Sequence, residues 1–170
     1  MSIVRINNLG ITDGTIVNAD IATAAAIATT KLGAGAVLQV VTATYSTYTT
    51  TTSGTYQDSG LTASITPSST SNKILILFNV AGIITQAINT GVSIALHKSS
   101  TLLYTAWEYG CYNTSSVDNQ AFCSGCYLDS PSSTSSLAYN IKFRNKNNSN
   151  SVGVQANSST STITLIEIKA

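Results

Sequence analysis

Few residues of this chain have the chemistry of a catalytic or metal site, and they are dispersed along the sequence. Cys123 and Cys126 are spaced like half of a zinc or redox motif, and Cys111 and His97 are the remaining thiol and imidazole groups. A structural zinc site needs four ligands, and a thioredoxin-like motif needs a βαβ context. We interpret the cysteines as small buried side chains and predict no metal and no cofactor; a disulfide from Cys111 to Cys123 or Cys126 remains an alternative.

The ionisable residues favour no catalytic pair. His97 is the single histidine, and as a general base it would need a nucleophile that the fold brings beside it. In a trimer, three copies of His97 on the axis would form a metal or anion site, which is the less favoured interpretation. Glycoside hydrolysis needs two facing carboxylates, and Glu108 with Asp118 or Asp129 would have to meet from distant positions. We therefore predict that the protein is not an enzyme.

An aromatic segment is the most distinctive local chemistry of the chain. Residues 104–113 contain the sole tryptophan and three of the eight tyrosines. Tyrosine and tryptophan give large amphipathic contact areas and are enriched at interfaces. The candidate binding residues are Tyr104, Trp107, Tyr109 and Tyr112, on a loop that contacts a host glycan or protein. The alternative is a strand that packs these rings into the core or a subunit interface.

The composition indicates which elements position these residues. The chain has 170 residues, a net charge of +1 and 9% charged side chains, whereas serine and threonine together number 49. Helical bundles need long charged faces, and disordered chains combine low hydrophobicity with high net charge. Nucleic-acid binding by phosphate neutralisation needs clustered basic residues, and the eight here are scattered. The remaining class is a neutral β protein, with nucleic acid excluded as a partner.

The pattern after residue 35 predicts an antiparallel sandwich of short strands. The predicted strands are 37–45, 61–66, 73–84, 91–98, 120–128, 137–144, 151–156 and 162–169. Residues 74–78 are apolar at both parities, which is typical of a strand covered on both faces. One face would meet the opposite sheet, and the other would meet a second subunit or another segment. We predict an all-β, jelly-roll-like sandwich that forms a trimer.

A repeated polar tetrapeptide punctuates these strands. Ser-Ser-Thr-Ser occurs at 68–71, 132–135 and 158–161, each time before a strongly apolar strand. Two of the copies follow Pro67 and Pro131, the two prolines of the chain, and proline suits strand ends and turns. The spacing between copies is unequal, so the pattern is not a solenoid repeat. We predict that the copies are equivalent polar turns that lead into core strands.

The first 35 residues have a different composition and form a predicted anchor and trimerisation arm, followed by a head domain of residues 36–170. Residues 16–32 are alanine-rich and predict a short helix, with Asn18 as its N-cap and Gly33 after its end. Such a helix is marginal alone in water, so it must pack on a partner. Its predicted packing face consists of Val17, Ile21, Ala24, Ala28 and Leu32.

The sequence also predicts where the protein is synthesised and whether it enters a membrane. Arg5 interrupts the position where a signal peptide would build its apolar region, so we expect synthesis in a cytoplasm without a signal peptide. The longest apolar run, residues 74–78, is far shorter than the roughly 20 residues of a membrane span. We therefore expect no membrane insertion.

Parts of the sequence resemble proteins of tailed-phage virions. Residues 13–32 resemble the alanine-rich, "dI.a.AaIa.sKl"-type segments of phage fibre proteins. Residues 37–45, 56–67 and 71–76 resemble the opening of the C-terminal domain of tail-fibre and virion-surface proteins, and residues 128–131 and 162–168 are similar to the rest of it. The resemblance implies a trimeric jelly-roll-like sandwich on a virion appendage without enzymatic activity, and it transfers no individual site residue.

These observations together predict a structural protein on the virion surface. The first hypothesis is a homotrimeric short fibre or spike, on the tail or the capsid, that binds other virion proteins through its N-terminal arm and contributes to host-surface binding. A separate tail-attachment domain and a long shaft are not recognised in the sequence, which favours a short spike. The alternatives are a lectin-like receptor-binding module and a capsid decoration protein that stabilises the shell without a receptor role.

Overall fold

The computed structural model describes residues 31–115, 117–147 and 150–170. Ten strands follow one another along these ranges, and Gly33–Ala170 forms one compact unit. The strands are β1 (Val37–Tyr45), β2 (Thr49–Thr51), β3 (Gln57–Ile65), β4 (Lys73–Thr85), β5 (Thr90–Lys98), β6 (Thr101–Asn113), β7 (Asn119–Asp129), β8 (Leu137–Asn145), β9 (Val152–Val154) and β10 (Ser161–Ile168). Within the described ranges, no helix is long and apolar enough to cross a membrane.

The strands form two antiparallel sheets. In sheet I the order is β1-β10-β4-β7, and the short strands β9 and β2 extend it beside the second half of β4. In sheet II the order is β3-β8-β5-β6. The eight long strands thus divide four and four between the sheets, which is the strand arrangement of a jelly roll. The predicted all-β sandwich is confirmed.

Strand β4 lies at the centre of sheet I. Residues 74–80 of β4 pair with β7 on one side, and residues 73–79 pair with β10 on the other. After a register shift between Val80 and Ile83, the end of β4 pairs with both β7 and β9. Ile74, Ile76 and Phe78 are buried between the sheets, whereas Leu75 and Leu77 point to the opposite face. Sheet II thus covers the inner face of β4 as predicted, whereas the described residues leave Leu77 39% exposed on the outer face, and its cover by a second subunit or another segment stays a prediction.

The core lies between the two sheets and is built from alternate residues of each long strand. Aliphatic side chains dominate it because the strands are rich in β-branched residues, which pack well on a pleated surface. Its largest fully buried apolar members are Tyr139, Phe143, Leu61, Ile74, Ile76, Ile83, Ile94, Leu96, Ile141, Ile163 and Leu165.

The three polar tetrapeptides precede β4, β8 and β10 but are not equivalent turns: the first lies in a turn, the second in irregular chain, and the third runs from the end of a 3-10 helix (Ala156–Ser158) into β10. The turn before β4 is held by Glu167, whose side chain is almost fully buried. Its carboxylate accepts hydrogen bonds from the backbone and hydroxyl of Ser68 (2.7 and 2.8 Å), from Asn72 (2.6 Å) and from Gln39 (2.6 Å). One carboxylate thus satisfies four donors and joins β1, β10 and the turn.

Two elements differ from the sequence-based expectation. Residues 104–113 belong to strand β6 rather than to a loop, so the loop interpretation of the aromatic segment is wrong. The register between β5 and β6 shifts repeatedly, and Tyr109 and Cys111 have positive φ, so β6 is an irregular strand whose alternation is broken. The short strand β2 also has no prediction from the sequence, because its three threonines carry no apolar alternation.

Candidate functional site

The outer face of sheet I carries a row of apolar side chains that crosses four neighbouring strands. Val40 of β1 pairs with Ile166 of β10, Ile166 pairs with Leu75 of β4, and Leu75 pairs with Leu128 of β7. We call these four residues the outer apolar row. At about 4.8 Å between strands, the row is about 14 Å wide. Val40 is 56% exposed and Leu128 is 48% exposed, so the described residues leave this row largely uncovered.

The same face becomes polar towards the other end of the strands. The next row, Thr42–Thr164–Leu77–Cys126, is mixed, and the row after it, Thr44–Thr162–Asn79–Ser124, is entirely polar. Asn79 donates a hydrogen bond to the Ser124 hydroxyl at 2.9 Å there. Beyond this polar row, Phe122 of β7 has the same orientation as Ser124 and Leu128 and is 71% exposed. The outer face therefore carries exposed apolar side chains on both sides of its polar row.

The aromatic residues predicted to bind a ligand divide into two groups. Tyr104 and Trp107 are half-buried and pack against the core, and the ring of Tyr104 stacks on that of Tyr127 with centroids 5.9 Å apart. The Trp107 indole lies against Gly110, where a Cβ atom would approach it to 1.9 Å. These two rings therefore stabilise the sandwich.

Tyr109 and Tyr112 are exposed and adjacent, with ring centroids 5.3 Å apart. The Tyr112 hydroxyl donates a hydrogen bond to Asn89 at 3.0 Å, and the Tyr109 hydroxyl donates one to Asn147. The structure thus places Tyr109 and Tyr112 side by side at the surface, whereas Tyr104 and Trp107 pack against the core.

The three cysteines lie at separate positions with different exposure. Cys111 of β6 and Cys123 of β7 are buried. Cys126 of β7 is exposed, because residues three apart on a strand face opposite sides. All three are free thiols. Burial raises the pKa of Cys111, and it raises that of Cys123 to about 11, so both are protonated at neutral pH. Among the described residues, no three histidine, cysteine or acidic side chains are grouped as metal ligands.

His97 is buried on the outer face of sheet II, with 6% of its surface exposed. Burial lowers its pKa, and the positive charge of Lys142 lowers it further, against smaller opposing effects that include Asp58. Arg144 adds a positive charge nearby, over the Tyr56 ring that contacts His97. The folded protein therefore keeps this imidazole neutral at a pH where an unfolded chain protonates it.

A pH dependence of stability follows from this difference. The unfolded chain gains a proton on His97 near pH 6.5 while the folded protein does not, so we expect stability to fall as the pH drops below about 6.5. Urea unfolding of the wild type and of His97→Gln between pH 8 and 5 measures this. The variant should have a shallower decline in this range. The pKa values of Glu108 and Glu167 are lowered, so these two groups change the stability below about pH 4.5, outside the range of this experiment. An identical decline in both proteins would contradict the assignment.

Asp129 is, after Glu167, the second buried acidic side chain of the described residues. It accepts hydrogen bonds from the Tyr139 hydroxyl at 2.7 Å and from Lys98 at 2.8 Å, which links β7 of sheet I to β8 and β5 of sheet II. Burial raises the pKa of Tyr139, and the hydrogen bond to Asp129 raises it further, so the phenol stays protonated. This arrangement serves as a link between the sheets. Glu108, by contrast, is partly exposed and paired with Arg144 and Lys146.

The predicted packing face of the N-terminal helix lies mostly outside the described residues. Val17, Ile21, Ala24 and Ala28 precede them, and Leu32 is the one member that the structure describes. The anchor and trimerisation roles of these residues remain predictions.

No protein-family model matches this chain, and no curated protein matches it. Among solved structures, it is similar to the crystal structure of the infectious bursal disease virus VP2 subviral particle, with a TM-score of 0.38 and 12% identity. That match covers 78% of this chain and 38% of the VP2 chain, so this chain spans well under half the length of that protein. Because the TM-score is below 0.5, this likeness assigns no function.

Proposed function

We propose that this protein is a structural component of a phage virion, a homotrimeric short fibre or spike that projects from the tail or capsid and contributes to host-surface contact. The observation that carries the proposal is the outer apolar row, whose two end residues, Val40 and Leu128, the described part of one copy leaves exposed on the outer face of a jelly-roll sandwich. Apolar patches of this kind on a soluble domain mark surfaces of association. The sequence resemblance to phage fibre proteins supplies the biological setting.

The charge distribution supports an association between copies of the chain. Val40, Ile166, Leu75 and Leu128 contribute no charge to the row, and Lys73 and Lys169 lie beyond its end. A surface without charge can be buried against a neighbouring subunit without leaving an unpaired charge, and in a closed ring every copy presents the same surface to its neighbour. We assign the row to contacts between subunits.

We also propose that the protein has no enzymatic activity. The two buried acidic side chains of the described residues are held by structural contacts: Glu167 binds the turn before β4, and Asp129 binds Tyr139 and Lys98. Both carboxylates are thus committed to holding elements of the sandwich together.

The virion role is tested with particles that lack the protein. Loss of adsorption to host cells, with restoration by the protein supplied in trans, is the expected result for a fibre or spike. Normal adsorption with reduced resistance to heat or osmotic shock would contradict it and would identify a capsid decoration protein instead. Antibody labelling of intact particles in electron micrographs distinguishes the tail from the capsid as the point of attachment.

The anchor role of the N-terminal arm gives a separate prediction. A chain of residues 36–170 alone should not be incorporated into virions, because the proposed contact with other virion proteins lies in residues 1–35. Circular dichroism of the truncated protein, with a β spectrum expected, controls for folding. Incorporation at the full-length level would contradict the anchor assignment.

A further inference from the structure

A group of polar side chains on the outer face of sheet II lies beneath a tyrosine. Tyr56 precedes β3, and its ring covers two residues of the sheet. The Arg144 guanidinium carbon lies 4.5 Å from the Tyr56 ring centroid, and the His97 ring meets the Tyr56 ring edge-on with centroids 5.2 Å apart. Asn140 pairs directly with His97 across β5 and β8, so it belongs to the same group.

Each of these four residues has a buried polar atom without a hydrogen-bond partner among the described residues. The atoms are Tyr56 Oη, His97 Nδ1, Asn140 Oδ1 and Arg144 Nε. An unsatisfied buried polar group costs about 1–3 kcal/mol, and native proteins leave few of them. Four such atoms in one group indicate that their partners, such as water or a bound ligand, lie outside the described residues.

An irregularity in β3 opens a cavity beside one member of this group, Asn140. The pairing of β3 with β8 moves from Asp58–Lys142 to Thr62–Asn140, so β3 has two extra residues there. Gly60 forms part of this bulge with a φ of +84°, and a Cβ atom on it would lie 2.2 Å from the Tyr45 ring, so the bulge needs glycine.

The bulge leaves a cavity of about 200 Å³ beside Asn140. Its lining consists of Asp58, Gly60, Leu61, Thr62, Asn140 and Ile141. At about 30 Å³ for each water molecule, the space holds about six waters or one small polar ligand. Thr62 pairs with Asn140, and Asn140 pairs with His97 on the next strand. The cavity at Thr62 and Asn140 is therefore one strand away from His97.

The polar atoms of the site include both donors and acceptors. In the cavity lining, Asn140 Oδ1 and the Asp58 carboxylate accept hydrogen bonds and the Asn140 amide nitrogen donates, whereas Tyr56, His97 and Arg144 are not part of the lining. A bound anion would face the Asp58 carboxylate, and a bound metal ion would face Lys142, which pairs with Asp58 at 3.1 Å. A neutral hydroxyl group avoids both conflicts because it donates and accepts at the same oxygen.

We propose that the cavity at the β3 bulge, on the outer face of sheet II, binds a neutral sugar residue through Asp58 and Asn140. The site is separate from Tyr109 and Tyr112 and from the outer apolar row. Its geometry does not depend on the virion role, but its assignment to host contact rests on the proposed function.

The test is a titration of the full-length, ¹⁵N-labelled protein with the methyl glycosides of glucose, galactose, mannose and N-acetylglucosamine. We expect at least one sugar to shift the amide signals of residues 56–62, 97 and 140 in a saturable manner. Asn140→Leu should weaken that binding roughly tenfold, because it removes an acceptor and fills the cavity. Asn79→Leu, on the polar end of sheet I, is the matched control and should bind like the wild type.

Three results would overturn the site. These are no saturable shift with any of the four glycosides, saturable shifts at these residues with inorganic phosphate instead, and equal affinity in Asn140→Leu and the wild type. The outcome is independent of the virion experiment. Sugar binding by the protein together with normal adsorption of particles that lack it would leave the site standing and refute the host-contact role. If particles that lack the protein lose adsorption but the protein binds no sugar, the sugar site is refuted and the host-contact role stands.

Discussion

Leu75→Glu should convert the protein from a trimer to a monomer at micromolar concentration. Leu75 lies at the centre of the outer apolar row, between Ile166 and Leu128. A carboxylate there would be buried without a partner when two subunits meet, at a cost of about 3 kcal/mol, which weakens association roughly a hundredfold. The side chain faces away from the core, so the sandwich itself should fold.

Light scattering coupled to size-exclusion chromatography, or native mass spectrometry, measures the change. Thr44→Glu is the matched control, because Thr44 is an exposed residue of the polar row on the same face and should leave the mass unchanged. A monomeric wild-type protein would refute the trimer itself. A trimeric Leu75→Glu protein would show that the subunits associate through another surface.

Glu167→Ala should lower the free energy of unfolding by about 3–5 kcal/mol, a large share of the 5–15 kcal/mol of an ordinary domain. The carboxylate is buried and accepts four hydrogen bonds from Ser68, Asn72 and Gln39. Its removal leaves these donors facing an empty space, and each unsatisfied donor is costly. The turn before β4 should therefore lose its attachment to β10.

Urea denaturation at pH 7 measures this loss, and Glu108→Gln is the matched control. Glu108 is a partly exposed carboxylate paired with Arg144 and Lys146, and such pairs contribute about 0–1 kcal/mol. A loss of less than about 1 kcal/mol in Glu167→Ala would contradict the role of the buried carboxylate.

Acid titration provides a second measurement on the same variant. Burial tends to raise the pKa of Glu167, but hydrogen bonds from Asn72, Gln39 and Ser68 outweigh it and lower the pKa overall. A lowered carboxyl pKa contributes stability that is present above about pH 4.5 and is lost as the pH falls. Glu167→Ala should therefore lose less stability than the wild type between pH 5 and 3.

The regular strands could be predicted from the sequence because their side chains alternate or are continuously apolar. Strand β1 begins and ends at the predicted residues, and β4 and β8 each extend one residue beyond the prediction. For residues 104–113 the sequence left a loop and a strand as alternatives, because the bulges and positive-φ residues of β6 break the alternation on which a strand prediction depends. Its aromatic residues therefore resembled a binding loop.

The candidate surfaces were harder to predict than the strands. The sequence indicated that 73–84 has two apolar faces, but no local pattern places Leu75 in line with Val40, Ile166 and Leu128. That alignment depends on register between strands that are up to about 125 positions apart in the chain, and a shift of one residue would turn each side chain to the other face. The unsatisfied atoms beneath Tyr56 likewise come from separate segments.

The sequence by itself determined the all-β class, the scarcity of charge and the polar segments before apolar strands, because composition and local alternation act within a few residues. The tertiary structure alone decided which polar groups are buried together and which apolar groups remain exposed. It placed Glu167 against the Ser68 turn and His97 beside Asn140, and within the described ranges it left Leu128 48% exposed. These outcomes depend on long-range pairing and burial, since the same residue types occur throughout the chain in other environments.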